Sequence, residues 1–334
     1  MNFLVIRLSS MGDVILATSV FSYLKSSFPE SKIWFVTGKE YGELFVRDPR
    51  LERVIGIEKG RENEQVRELE GMTWERVIDL QNNRHSMMIR SKIGSRQSVG
   101  VFRKLHFERF LLLALRHNMY EVKNHVIARY AQAAGSSATS FPPATLFIDR
   151  QNCESICEFN PPASMVRPML ALFPFSNWKN KEWPLRYYEY VGRYFTVKGW
   201  HVIIFGGKND VMAAAKLRAG IGEHCVSAAG KLSLYESACL IDRCNLALGN
   251  DTGLSHCARA CGVKTGIIYG ATSWHFGFFP YKGFPYKIFE TSLACRPCHA
   301  HGGNFCIRGS RRSCLRMIKP ETVISGLTEL YHEK

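Results

Sequence analysis

Four short stretches of this 334-residue chain carry side chains suited to chemistry. The first is RLSSMGD at 7–13, where an apolar run ends, Gly12 permits a tight turn and Asp13 stands at the mouth of the next helix. A carboxylate there can take a proton from a hydroxyl, although aspartate is also a favoured helix N-cap. The turn lacks the three-glycine spacing of a dinucleotide fingerprint. The second stretch, FPFSNWKNKEWP at 173–184, offers Ser176 and Lys181 to phosphate oxygens, with Pro184 at a plausible first helical position. An ammonium at Lys181 would offset charge building on a leaving diphosphate; the plain alternative is a solvated loop lysine.

The third stretch is GNDTGLSHCARACG at 249–262. Asp251, Thr252 and Gly253 open a helix whose free N–H groups and dipole suit a diphosphate, with the Thr252 hydroxyl beside them. Asp251 would repel phosphate, which leaves it a sugar hydroxyl as partner, and His256 lies one turn further on. Against this stand an N-capping role for Asp251 and an ordinary core or surface role for His256. The fourth stretch spaces Cys295, Cys298, Cys306 and Cys314 as C-x2-C-x7-C-x7-C. Four thiolates so arranged admit a structural zinc or iron, with His299 and His301 as substitutes; a disulfide pair or free thiols also fit. The other seven cysteines, Cys239, Cys244, Cys257 and Cys261 among them, read as small buried hydrophobes of a reducing compartment.

Strand and helix patterns alternate along the chain and must position these groups. Apolar runs at 3–8, 32–38, 53–57, 76–80, 169–175, 200–207 and 263–270 read as strands, as does NLALGND at 245–251 with its exit turn, with helices predicted at 14–27, 185–199, 232–244, 253–262 and 319–330. The proline-rich FNPPASMVRP at 159–168 reads as a linker. The expected division is 1–158, 159–318 and a closing helical segment 319–334 that packs near the domain boundary. The fold class is α/β: two Rossmann-like, doubly wound domains facing a cleft, the GT-B arrangement, with ligands beyond the carboxyl ends of the strands.

The chain carries a formal charge of +15, which implies an anionic partner. Between Arg84 and Arg129 there are ten Lys/Arg against Glu108 and Glu121 alone. Within that run FERFLLLALR reads as an amphipathic basic helix, either core-facing with a solvated rim or an anionic docking surface. No run approaches the roughly 20 apolar residues of a spanning helix, and the N-terminus does not read as a signal peptide. A cytoplasmic protein, peripheral at most to the inner membrane, is expected. A metal-knuckle protein binding nucleic acid would explain the charge, but no aromatic RNA-binding signature accompanies it and nucleic acid is not expected as a partner.

Taken together, RLSSMGDVILATSV, K-E-W-P after a strand and G-N-D-T-G-L-S-H resemble the glycosyltransferase family 9 heptosyltransferases, from Asn2 to about Gly326. The resemblance implies inverting transfer of heptose from an ADP-activated donor to the inner core of lipopolysaccharide, with no catalytic cofactor. It implies Asp13 as general base and Lys181 as stabiliser of the leaving diphosphate. Ser176, Thr252 and Gly253 would hold the diphosphate, Asp251 the heptose hydroxyls, Asp210 the donor ribose (an aspartate where glutamate is more usual) and the Leu232 backbone the adenine. Some relatives that glycosylate autotransporter proteins carry a cysteine-bound iron, so a protein acceptor is the alternative.

Overall fold

The computed structural model describes residues 1–93, 98–120, 125–137, 141–161, 167–278, 283–309 and 312–333. Arg96 and Lys123 of the basic run and the centre of the expected linker, 162–166, lie outside them. The chain forms two compact units. One comprises Met1–Leu105, Glu121–Ile148 and Gly277–Lys282; the other His106–Tyr120, Asp149–Phe276 and Gly283–Lys334. The basic run is thereby shared: His106–Tyr120 belongs with the second unit, whereas the sequence reading assigned the whole run to the first.

The first unit is built on a parallel sheet of order β3-β2-β1-β4-β5. Its strands are β1 (Asn2–Arg7), β2 (Lys32–Gly38), β3 (Arg53–Ile57), β4 (Arg76–Asp79) and β5 (Val99–Val101). β1 lies between β2 and β4, pairing Leu4 with Trp34 on one side and Val77 on the other. A strand so enclosed is buried on both faces and must be apolar throughout, as FLVI is. The chain leaves β1 through α1 (Met11–Leu16) and α2 (Thr18–Ser27). The second of these seats Val20, Phe21 and Leu24 in the core, where Phe21 meets Phe35 and Phe45 edge-on. α3 (Arg84–Ile93) and α5 (Val126–Ala133) also belong to this unit.

The second unit carries a six-stranded parallel sheet of order β11-β10-β9-β6-β7-β8. The strands are β6 (Met169–Phe173), β7 (His201–Ile204), β8 (Cys225–Ser227), β9 (Leu246–Asn250), β10 (Lys264–Ile268) and β11 (Tyr286–Phe289). Between them run α6 (Leu185–Val197), α7 (Val211–Ile221), α8 (Leu234–Asp242) and α9 (Gly253–Ala260). The closing helix α10 (Pro320–His332) packs within this unit: a side chain at Gly266 of β10 would stand 2.8 Å from Leu327, so glycine is what lets the helix approach. The two Rossmann-like sheets give the GT-B fold. In each, strand order reverses beside the strand that opens the unit, between β1 and β4 and between β9 and β6, and such switch points are where ligands bind.

Three differences from the sequence reading have simple causes. β5, β8 and β11 were not foreseen, because each has one buried residue and so no continuous apolar run, whereas β4 and β7 are as short but enclosed and apolar. Pro184 caps α6, with Leu185 as first helical residue. Cys239 is disulfide-bonded to Cys153, across 86 residues, rather than a free buried thiol. The 3-10 turn Glu154–Phe159 packs on α8 and brings the two cysteines together, a pairing the spacing could not reveal.

The segment FERFLLLALR is helical from His106 to Phe110 (α4) and π-helical over Leu111–Leu115. Only Leu112 in it is buried; Phe107, Phe110 and Leu115 are 65%, 59% and 67% exposed. The core-facing reading of this helix therefore fails.

Candidate active site

In the first unit, Asp13 is the third residue of α1, which follows β1 directly. Both its carboxylate oxygens are engaged. Oδ2 lies 2.8 Å from Arg7 Nη2 and accepts from Ser10 Oγ at 3.0 Å, while Oδ1 accepts from Tyr130 OH at 3.3 Å. Its side chain is 16% exposed and that of Arg7 only 8%. The guanidinium also donates to the Leu80 carbonyl and sits over the Tyr130 ring, 5.7 Å from its centroid. Burial opposes the charge on Arg7, but Tyr130 and Asp13 outweigh it and its pKa is raised. Burial pushes the Tyr130 phenol far above its usual range, so it stays a donor.

Sequence inspection missed both partners. Arg7 stands in RLSSMGD but reads as the end of a strand, and Tyr130 is 117 residues away from Asp13. Asp79, at the end of β4, is fully buried but spent on structure: it accepts from the Gln81 and Asn82 backbone and from Ser86 Oγ and pairs with Arg90.

In the second unit the GND stretch and the lysine loop come together at the carboxyl ends of β9 and β6. Lys181 Nζ lies 2.8 Å from Asp251 Oδ2 and donates to the Asp251 carbonyl at 2.9 Å, each side chain 12% exposed. Thr272 Oγ1 donates to the same carboxylate oxygen at 2.8 Å. Burial would raise the Asp251 carboxyl; the Lys181 ammonium, with His256 and Thr272, outweighs it and holds the group below its ordinary 3.8. Thr252 precedes α9 in extended backbone and makes no side-chain capping bond. Its Oγ1 is buried with no hydrogen-bond partner among the described residues. An unsatisfied buried hydroxyl costs about 1–3 kcal/mol unless something supplies a partner. At a helix N-terminus beside a lysine, an anion oxygen is the fitting one.

What fixes this arrangement is Asn250, fully buried at the end of β9. Its Oδ1 accepts from the Trp183 backbone at 3.0 Å and from Tyr188 OH at 3.1 Å, and its Nδ2 donates to the Pro174 carbonyl at 2.9 Å. One amide thus staples the lysine loop to the strand that carries Asp251. Gly249 permits the closeness, because a side chain there would meet Ser255 Oγ at 2.6 Å and Phe173 at 2.7 Å.

The remaining sequence candidates make local contacts. Ser176 Oγ accepts from the Trp178 backbone at 3.1 Å, within its own loop. Asp210 accepts from Gly207 N at 2.8 Å, closing the turn after β7. Leu232 lies in the turn before Ser233, the N-cap of α8.

The cysteine loop adjoins the lysine loop. Asn180, beside Lys181, is buried; its Oδ1 accepts from Gly303 N at 2.7 Å, and its backbone N donates to the Gly303 carbonyl at 3.0 Å. Cys298 is near enough to Cys295 and Cys306, and Cys314 to Cys298 and Cys306, for charge on one to act on the other. Burial, with Cys298 and Cys306 adding to it, pushes the Cys314 thiol up to about 11. Among the described residues, however, no three His, Cys, Asp or Glu side chains form a group able to hold a metal ion. The thiols are chemically suited to zinc or iron.

The comparisons with known proteins agree with this architecture. Lipooligosaccharide heptosyltransferase 2 of Haemophilus ducreyi is 25% identical over 298 residues, covering 82% of this chain and 84% of that protein. A crystal structure of a family 9 glycosyl transferase from Veillonella parvula superposes with a TM-score of 0.79 at 22% identity, over 100% of this chain and 98% of that one. The structure of the Escherichia coli ADP-heptose LPS heptosyltransferase II gives 0.75 at 21% identity, over 99% and 98%. The sequence model of glycosyltransferase family 9 (heptosyltransferase) matches residues 64–301, well over half the chain. With that match joined to a carboxylate at one switch point and a buried, unpartnered hydroxyl at a helix N-terminus at the other, the chain belongs to glycosyltransferase family 9 and is a glycosyltransferase.

Proposed function

We propose that this enzyme transfers heptose from ADP-heptose to the inner core of lipopolysaccharide with inversion, Asp13 acting as general base and Lys181 stabilising the leaving diphosphate. The observation that carries the reading is the unpartnered Thr252 hydroxyl, buried at the N-terminus of α9 in the turn that brings Asp251 to Lys181. The names of the relatives support the sugar and the acceptor class: lipooligosaccharide and lipopolysaccharide heptosyltransferases, one of them an ADP-heptose LPS heptosyltransferase.

Asp13 accepts the proton of the attacking acceptor hydroxyl while the bond from the anomeric carbon to the diphosphate breaks. General-base assistance of this kind is worth about 10²–10⁴-fold. Lys181 and the N–H groups opening α9 take up the charge that appears on the diphosphate, with the Thr252 hydroxyl donating to it. Asp251 accepts from a heptose hydroxyl and Ser176 donates to phosphate. Asp210 and the Leu232 backbone reach the ribose and adenine. No catalytic cofactor enters this scheme.

A release assay tests it: ADP-heptose or UDP-sugars are incubated with defined lipopolysaccharide acceptors truncated at successive inner-core sugars. ADP release dependent on one such acceptor is expected. Release of UDP alone, or transfer only to a protein acceptor, would overturn the substrate assignment.

A further inference from the structure

The surface of the second unit carries a basic, apolar patch that plays no part in the chemistry above. α4 and the π-helical turn after it leave Phe107, Phe110 and Leu115 in solvent, and the cysteine loop leaves Phe305 and Ile307 91% and 72% exposed. Large apolar side chains standing out this far cost solubility unless a surface covers them.

The two segments are held together. Arg116 Nε donates to the Ala294 carbonyl at 3.2 Å, and Arg109 Nη1 lies 3.4 Å from His301 Nε2. The cysteine loop is in turn bound to the loop of Trp178, itself 42% exposed, by Arg312 donating to the Lys179 carbonyl at 2.6 Å. The patch is therefore a tied assembly of three segments and not three independent loops.

Its charge is one-sided. Between Glu290 and Glu321 the sequence has no acidic residue and six basic ones, Arg296, Arg308, Arg311, Arg312, Arg316 and Lys319, of which Arg311 lies outside the described residues. Arg296 is spent inside, pairing with Glu290; Arg308 is exposed. From His106 to Tyr120 only Glu108 opposes Arg109 and Arg116.

Exposed phenylalanines within a field of arginines match the boundary between headgroups and acyl chains of an anionic bilayer. There the rings enter the apolar layer and the guanidiniums remain among phosphates. We infer that this patch docks the enzyme on an anionic lipid surface. The inference deepens the proposed function, since an acceptor built on a lipid stays at such a surface, and membrane docking of the second unit would bring the enzyme to it. Charge complementarity and aromatic exposure favour a bilayer over nucleic acid, because the apolar groups include aliphatic Leu115 and Ile307, which have no stacking role.

Sedimentation of the full chain with vesicles tests the inference without any sugar transfer, so its failure and failure of the heptosyltransferase reading are distinguishable. Vesicles of equal parts phosphatidylglycerol and phosphatidylcholine are compared with phosphatidylcholine alone. Preferential binding to the anionic vesicles, weakened by salt, is expected. Phe305→Ser with Ile307→Ser, and separately Phe107→Ser with Phe110→Ser, should each lower binding on the order of ten-fold, and Arg308→Glu about five-fold or more. All these side chains are exposed, so the thermal melt should not move and loss of binding is not loss of fold. Equal binding to both vesicle types, unchanged binding by the two serine pairs, or binding to single-stranded RNA without binding to vesicles would each overturn the inference.

Discussion

Each unit sets an aspartate just beyond the end of a strand at its switch point and pairs it with a cation, yet the two pairs are built differently. Asp13 is held by Arg7, which comes from the strand leading into the same turn and is locked by burial and by the Leu80 carbonyl. Asp251 is held by Lys181, which arrives on another loop, 70 residues away. A guanidinium in a fixed fork keeps its direction; an ammonium on a four-carbon stem is a point charge that can turn to a new anion. Arg7 thus suits the fixing of a base, and Lys181 suits following a charge as it moves onto a diphosphate. In the proposed mechanism the same carboxylate–cation motif would serve positioning in one unit and electrostatic stabilisation in the other.

The comparison breaks most readily at Asp13. Asp13→Asn keeps the shape and should lower kcat by about 10²–10⁴-fold while the donor Kd stays within a few-fold, read by ADP release and calorimetry. Wild-type turnover in this variant would remove the base from the scheme. Lys181→Met comes next, with a loss of about 10²–10³-fold and weaker donor binding together. If kcat and the donor Kd were both unmoved, Lys181 would serve only to hold Asp251 and would leave the scheme.

Arg7→Lys sharpens the contrast. A single ammonium lacks the rigid fork by which Arg7 reaches the Leu80 carbonyl and Asp13 through separate nitrogens, and misplacing the base by an ångström costs on the order of 10²-fold in kcat with little change in donor KM. Asp251→Asn leaves Lys181 without its counter-ion and should cost about 3–5 kcal/mol in denaturant unfolding. Since Asp251 is held below 3.8, its stabilisation is complete above the ordinary carboxylate range and is lost as pH falls through its folded value. The melting gap between wild type and Asp251→Asn should therefore stay constant from about pH 8 to pH 5 and close below about pH 4. The smallest effect is expected of Asp210→Ala, which removes a turn-closing bond and costs about 1 kcal/mol.

The alternation of apolar runs with helical periods made both parallel sheets legible, because strands enclosed on both faces must be continuously apolar. The same rule explains what escaped notice: β5, β8 and β11 lie at sheet edges with one buried residue each, so no continuous apolar run marks them. At the sites, Asp13, Lys181 and Asp251 stood out since each follows a strand and borders a helix. Asn250 did not, although it holds the second site together, because a buried asparagine inside GND reads the same as a turn residue. Asn180 escaped likewise, since its partners lie more than 120 residues downstream.

By itself the sequence determined the two-fold repetition of a strand–turn–helix site and the chemical types available in each, since local period and residue identity suffice for that. Only the tertiary structure decided which cation each aspartate receives, that Cys153 and Cys239 are joined, and that the basic helix and the cysteine loop form one surface. Those outcomes depend on contacts between segments far apart in the chain, and no local pattern encodes a partner that folding alone brings near.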